Sequence, residues 1–230
     1  MIIHRPEFPL YGIIILFSLA AGTLYIYRSL RKAGCRSKDI LLYFIMFLPF
    51  AIVSGKLYTV ITDPSSGNIF TAGLSSYGGL AGTVAAALIF ERILPENGNV
   101  IRYTVLSLPL IYGLSKTACF FAGCCYGIPY NGPLSVTYPD GPGIPLFPVQ
   151  LAETAVFLIM FLVCHTLREK RYISHFTLMT VAAAKLLLDF LRYDHVSKLI
   201  TANQIFSIML FAAALTAFCI GKGRDRNDRP

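Results

Sequence analysis

An all-α, polytopic membrane bundle of seven transmembrane helices is the fold class this sequence predicts, with the N-terminus outside and the C-terminus cytoplasmic. Three observations predict it. Seven apolar stretches run through the 230 residues, the chain is 55% hydrophobic and only 14% charged, and the Lys and Arg residues outside the stretches fall in alternate gaps. A soluble domain would carry about a quarter charged residues. A formal charge of +8 suggests nucleic acid, but these basic residues track the ends of apolar stretches instead of one solvated face, so a nucleic-acid partner is excluded.

The stretches are Pro9–Tyr27, Ile40–Ile61, Ser75–Phe90, Tyr103–Phe121, Pro148–Leu167, Ile173–Leu191 and Ile200–Ile220. Most approach the ~20 apolar residues that cross a hydrocarbon core at about 1.5 Å per residue, and each must close its own backbone hydrogen bonds as a helix. The third is short and needs tilt to complete its span. The gap after the first holds Arg28, Arg31, Lys32, Arg36 and Lys38; that after the third holds Arg92 and Arg102; that after the fifth holds Arg168, Lys170 and Arg171. The tail, 221–230, holds Lys222, Arg224, Arg226 and Arg229, while 62–75 and 123–147 hold no Lys or Arg. Positive residues stay inside, which sets the orientation. The basic cluster follows the first stretch, as in a retained span; a signal peptide carries it before. We read 1–230 as a single membrane domain with an outer loop at 123–147 and a cytoplasmic tail at 221–230. The loop is dense in Gly and Pro, with an extended piece expected at Leu134–Tyr138, and loops of this length in a compact domain are commonly functional.

Polar groups inside the spans carry the chemistry, because a charge at membrane depth costs from ~2.5 to more than 10 kcal/mol. Lys56 lies toward the outer end of the second span and Lys116 within the fourth. Lys185, Asp189 and Arg192 recur at i, i+4 and i+7, hence on one face, and Gln150 and Glu153 open the fifth span. Lys185 with Asp189 is the first pairing expected. Three lysines and an arginine against two carboxylates leave positive charge that an anion, most simply a lipid phosphate, would neutralise. Snorkelling of lysines to water is the competing account. Gly78, Gly79 and Gly82 open the third span. Close helix packing is the simpler reading, and reception of an anion by backbone N–H groups the sharper one.

Cys35, Cys164 and Cys219 are isolated, whereas Cys119, Cys124 and Cys125 cluster after Lys116. An ammonium one turn from Cys119 favours thiolate there. Three thiols without an adjacent histidine make a poor zinc site, so no metal and no cofactor are expected. Cysteines at i and i+5 point apart on a regular helix, so a disulfide requires unwinding near Gly123. Small-residue packing is the remaining alternative.

At these residues the sequence resembles the bacterial prolipoprotein diacylglyceryl transferases, seven-span enzymes that move diacylglyceryl from phosphatidylglycerol to the lipobox cysteine of preprolipoproteins. Gly55-Lys56-Leu57-Tyr58 is similar to the family's G-R-L-G-Y, and Ser76-Tyr77-Gly78-Gly79-Leu80 to its F-H-G-G-L. Ser115 through Gly127 fits G-R-x-x-N-F-x-N-x-E-x-x-G without a gap, and Pro145 through Glu153 matches P-x-H-P-x-Q-L-Y-E. Lys185, Asp189 and Arg192 fall on R-x-x-x-E-x-x-R, and Asn203 through Ser207 resembles G-Q-x-x-S. Tyr77 stands at the family's histidine, Lys56, Lys116 and Lys185 at arginines, Cys119 at an asparagine and Cys124 at a glutamate. Lysine keeps the charge of arginine but loses its bidentate fork. The pattern is that of a divergent branch.

The resemblance implies a transferase in the bacterial cytoplasmic membrane, multi-pass, with its site facing the outer leaflet. Its expected partners are an anionic, phosphatidylglycerol-like lipid and a lipoprotein precursor peptide. Tyr77, Lys116, Cys119, Cys124 and Lys185 are the expected catalytic residues, and Lys56, Gly78, Gly79, Gln150, Glu153, Asp189 and Arg192 the expected substrate-binding ones. Lys116 and Lys185 would hold the phosphate with Lys56 adding field, and Glu153 and Asp189 would orient them. Tyr77 would donate to a phosphate oxygen or act as base. A cysteine alkylated through carbon becomes a thioether, a dead end for turnover, whereas an acylated one becomes a competent thioester. A cysteine-dependent acyltransferase, a thiol-redox protein and a non-catalytic lipid or lipoprotein binder are the alternatives.

Overall fold

The computed structural model describes residues 9–63, 67–139 and 141–227; among side chains, those of Asn97 and of 224–227 are not described. Among the described residues seven α-helices follow one another: α1 Leu10–Lys32, α2 Ser37–Thr62, α3 Ser76–Ile93, α4 Val100–Ala122, α5 Val149–Thr166, α6 Ile173–Asp189 and α7 Ala202–Asn227. Each covers one expected stretch. By length and apolarity α1, α2, α4, α5 and α7 are able to cross a membrane. α3 and α6 are shorter, at 18 and 17 residues. α7 continues past Ile220, so most of the expected tail is helical, and Arg229 lies outside the described residues.

The chain divides into two compact units, Ala21–Leu108 and Pro109–Pro230 with Met1–Ala20. In Ala21–Leu108 the principal packing is α2 against α3. Gly78 and Gly82 make it close: a Cβ on Gly78 would fall onto the Ser54 carbonyl and Tyr58, and one on Gly82 onto the Ser54 side chain and the Phe50 carbonyl. The Gly79 amide donates within the helix to the Ser75 carbonyl at 3.0 Å. The close approaches favour helix packing as the role of Gly78 and Gly82. Tyr43, Phe47 and Phe90 fill the interior, and the Tyr43 hydroxyl finds the Thr104 hydroxyl at 2.7 Å, satisfying a group that would otherwise be buried at a cost.

In the other unit α6 packs on α7 and on α5. The loop between α4 and α5 is tied down by short backbone pairings. Val136 and Leu146 exchange two hydrogen bonds at 3.0 and 2.9 Å, so the expected extended piece is present in part, as a bridge at Val136, while Leu134 turns in a left-handed conformation at φ 65°. Gly127 donates to Phe147 at 3.1 Å and Ile128 to Leu191 at 3.0 Å, joining the start of the loop to its end and to the segment after α6. Gly127 has no room for a side chain there, since a Cβ would meet the carbonyls of Phe147 and Leu191 at 2.5 and 2.9 Å. Phe120, Val136, Tyr138 and Leu146 form a small core beneath the loop. Such pairing satisfies backbone groups that a free loop would leave to water.

Candidate active site

Glu153 is the hub of the polar cluster in the 109–230 unit. It lies one turn into α5, fully buried, and three groups converge on it. The Lys116 ammonium from α4 stands 3.3 Å from its Oε2, and the Arg192 guanidinium donates to its Oε1 at 2.7 Å. The Tyr112 hydroxyl donates to the same Oε1 at 3.0 Å. Lys116 and Tyr112 share a face of α4 because they are four residues apart.

Asp189 ends α6 and holds a second set of contacts. Arg192 Nε lies 3.5 Å from its Oδ1, Thr201 donates to its Oδ2 at 2.5 Å, and His195 Nε2 stands 3.4 Å from the same oxygen. Arg192 therefore bridges the two carboxylates. Asp189, for which Lys185 is the first partner expected from sequence, is engaged by these groups. Lys185 places its ammonium 3.6 Å from the centroid of the Tyr112 ring, with Lys116 5.0 Å from the same ring. A cation against an aromatic face is held by the ring quadrupole, worth up to about 2 kcal/mol when desolvated. Phe157 packs edge-on against Tyr112, the two ring centroids 4.5 Å apart.

Lys116, Lys185, Arg192, Glu153 and Asp189 are each at most 6% exposed. Three cations thus face two carboxylates out of water, among the described residues. Buried charge of one sign is sustained only by pairing, by bonds to its remaining donors, or by a bound counter-ion.

At the end of α4 the chain turns in a Schellman cap. Gly123 takes a left-handed conformation at φ +64°, its amide donates to Phe120 at 3.3 Å, and the Cys124 amide donates back to Cys119 at 3.2 Å. This closure folds Cys124 back over Cys119. Cys125 is itself left-handed at φ 55°, an uncommon state for a residue with a Cβ. The three sulfurs lie within 4.8 Å of one another, and all three thiols are free. Gln150, buried at the start of α5, donates to the Cys124 carbonyl at 2.8 Å and fixes the turn. Hydrogen bonds from Cys119 and Cys124 hold the Cys125 thiol well below the usual range, and the positive charge of Lys116 and Arg192 acts the same way. The bonds to Cys119 and Cys125 push Cys124 upward.

The structure thus gathers Lys116, Cys119, Cys124, Gln150, Glu153, Lys185, Asp189 and Arg192 in one unit. Lys56, Tyr77, Gly78 and Gly79 belong to the unit Ala21–Leu108. There the Lys56 ammonium donates to the carbonyls of Ile69, Phe70 and Ala72 at 3.1, 3.0 and 3.2 Å, so its three N–H groups are spent on the α2–α3 connection. Tyr77, capped at its amide by the Ser75 hydroxyl, is buried with its ring stacked on Tyr58 at 6.0 Å. Tyr112, His195 and Thr201 are members of the polar cluster that sequence reasoning missed. The signal for Tyr112 was its position one helical turn before Lys116; nothing local marks Thr201, which reaches Asp189 only through the fold.

The family model for prolipoprotein diacylglyceryl transferase matches residues 2–220 of this chain. Among its relatives are three proteins of related name. The phosphatidylglycerol–prolipoprotein diacylglyceryl transferase of Clostridium tetani is 25% identical, the match covering 93% of each chain. Transferase 2 of Clostridium perfringens is 23% identical over 95% of this chain and 93% of its own length. The protein of that name from Dehalococcoides mccartyi is 25% identical over 90% of this chain and 87% of its own. With the match running nearly end to end through all seven helices, the chain belongs to the prolipoprotein diacylglyceryl transferase family.

Proposed function

We propose that this chain transfers the diacylglyceryl group of phosphatidylglycerol to the cysteine thiol of a lipoprotein precursor. The observation that carries the reading is the buried excess of cations around Glu153 and Tyr112, within a chain of this family. In the reaction the thiol sulfur forms a bond to the glyceryl carbon, the carbon–oxygen bond to phosphate breaks, and glycerol phosphate leaves with the electron pair. The thiol proton must go to a base. Charge builds on the departing phosphate, so fixed cations in a dry site stabilise the transition state more than the ground state. Lys116 and Lys185 supply those cations, Arg192 and Glu153 hold them in place, and Tyr77, at the position of the family's histidine, is the candidate for the donor or base. Cys119 and Cys124 shape the site without forming a covalent intermediate, because a thioether would not turn over.

The same reading takes the chain as a single bacterial cytoplasmic-membrane domain of seven spans with its site toward the outer leaflet. It is supported by the lack of Lys and Arg in 123–147 against the basic gaps on the other side. A tag after Pro230 is expected to label only in permeabilised cells and one inserted between Asn131 and Pro142 in intact cells; the reverse pattern overturns the orientation.

The activity is tested with the purified chain, phosphatidylglycerol vesicles and a lipobox peptide, reading the mass of the peptide cysteine. Lys116→Ala and Lys185→Ala are each expected to lower turnover by roughly tenfold or more, equivalent to ~1.4 kcal/mol of transition-state stabilisation, with the Arg variants much closer to the parent. Retention of anionic lipid without any modified peptide would make the chain a binder.

A further inference from the structure

The thiol triad at the end of α4 is not used by the transferase chemistry. Its sulfurs come from three backbone positions that the Schellman cap and the left-handed Cys125 fold onto one another. The cap is held from outside by Gln150, and the chain beyond it by Gly127 and Ile128 in their pairings with Phe147 and Leu191. The triad is therefore a convergent, pre-shaped set of soft donors with little left to order on binding. No His, Asp or Glu joins the three among the described residues. That composition is wrong for structural zinc, which takes four ligands, and right for an ion content with three thiolates.

We propose that Cys119, Cys124 and Cys125 form a three-thiolate site for a soft monovalent metal ion, copper(I) being the ion that fits. At a metal–sulfur distance of about 2.3 Å a trigonal site sets its sulfurs ~4 Å apart, so a separation within 4.8 Å closes by side-chain rotation alone. Binding releases the thiol protons to solvent and leaves an anionic centre, which the neighbouring Lys116 and Arg192 charges offset. Cys125 is exposed and Cys119 and Cys124 partly so, which gives the ion an entry path. A disulfide would engage two of the sulfurs and leave the third idle. The proposal goes beyond the transferase reading and does not depend on it, since its readout is metal and not turnover.

The test uses the full chain in detergent micelles, reduced and free of oxygen, titrated with copper(I) against a chromophoric copper(I) chelator. One equivalent taken from the chelator is expected, with a near-ultraviolet thiolate-to-copper band. Cys119→Ser, Cys124→Ser and Cys125→Ser should each lose that equivalent, while Cys219→Ser, which alters an exposed thiol outside the triad, should keep it. On the parent protein, bound copper should shield Cys119, Cys124 and Cys125 from alkylation, read by peptide mass spectrometry, and leave Cys219 reactive. Copper left wholly with the chelator, or triad thiols that alkylate as fast with copper as without, overturns the site even where a variant fails to fold.

Discussion

Lys56 and Lys116 are both lysines on apolar helices, each set where the family carries arginine, and the two units employ them in opposite ways. In the Ala21–Leu108 unit the ammonium of Lys56 meets three main-chain carbonyls of the α2–α3 connection. In the 109–230 unit the ammonium of Lys116 meets a buried carboxylate that Arg192 and Tyr112 also share. The first arrangement disperses one charge over neutral dipoles beside the strongly exposed Phe70 and is a local staple. The second concentrates ions away from water, where removing any one leaves another uncompensated. A lysine in a span is thus informative only once its partner is known.

The largest effect expected from that contrast follows loss of the hub. Glu153→Gln leaves Lys116 and Arg192 buried against a neutral amide, and breaking a buried pair by removing one partner costs ~3–5 kcal/mol. Thermal unfolding in detergent should show the chain severely destabilised, with Glu153→Asp intermediate because it keeps the charge and shortens the reach. A Gln variant as stable as the parent would mean that the cluster is wet and weakly coupled.

The other unit is expected to be sensitive to volume instead of charge. Gly82→Ala drives a Cβ into the Ser54 side chain and the Phe50 carbonyl of α2. Overpacking of this kind costs about 1–3 kcal/mol, and the helix-propensity gain of alanine recovers less than ~1 kcal/mol of it. Gly79→Ala is the control on the same helix, since its nearest neighbour outside α3 is the Ala51 carbonyl at an ordinary 3.6 Å. Destabilisation by the first and not the second is the expected melting result. Equal effects would show that the α2–α3 interface lacks the close approach described above.

The helices were legible because apolar runs of span length leave the backbone one way to satisfy itself, and each of the seven runs falls on a helix. The ends were less legible: α1 runs on to Lys32, α6 stops at Asp189, and in α7 a polar segment continues the helix past Ile220, because hydropathy sees the membrane boundary and not the last hydrogen bond. Lys116, Glu153, Lys185, Asp189 and Arg192 stood out as charges at membrane depth, and they do meet. Their individual partners followed from sequence only in part: Glu153 as a partner for Lys116 did, and Arg192 as the group shared by both carboxylates did not. The i, i+4 rule speaks only for groups within α6, such as Lys185 and Asp189; Arg192 and Thr201 reach Asp189 after the chain has left α6, where helical spacing no longer applies. The thiols show the same limit. Gly123 marked the end of α4, yet the convergence of three sulfurs depends on the second left-handed residue, Cys125, for which sequence offers no signal of the kind glycine gives.

The smallest expected effect is at Lys56, and it sharpens the comparison most. Lys56→Met keeps the apolar stem and removes the ammonium, leaving the carbonyls of Ile69, Phe70 and Ala72 to other donors. Phe70 is 87% exposed, so water can reach this connection and replace much of what is lost. The net cost should be ~1 kcal/mol, below the sum of three charge-assisted hydrogen bonds in a dry site. Lipid retention and peptide modification should stay near parental levels, because the donors of Lys56 are already committed to the backbone. Lys116→Met, the same chemical change in the other unit, strands Glu153 in part and removes a proposed phosphate contact, so both stability and turnover should fall. Measuring the pair side by side in one detergent, by melting and by mass of the modified peptide, separates a staple from a site. A Lys56→Met variant that melts like the parent but loses turnover would return Lys56 to the phosphate-binding set and take the contrast with it.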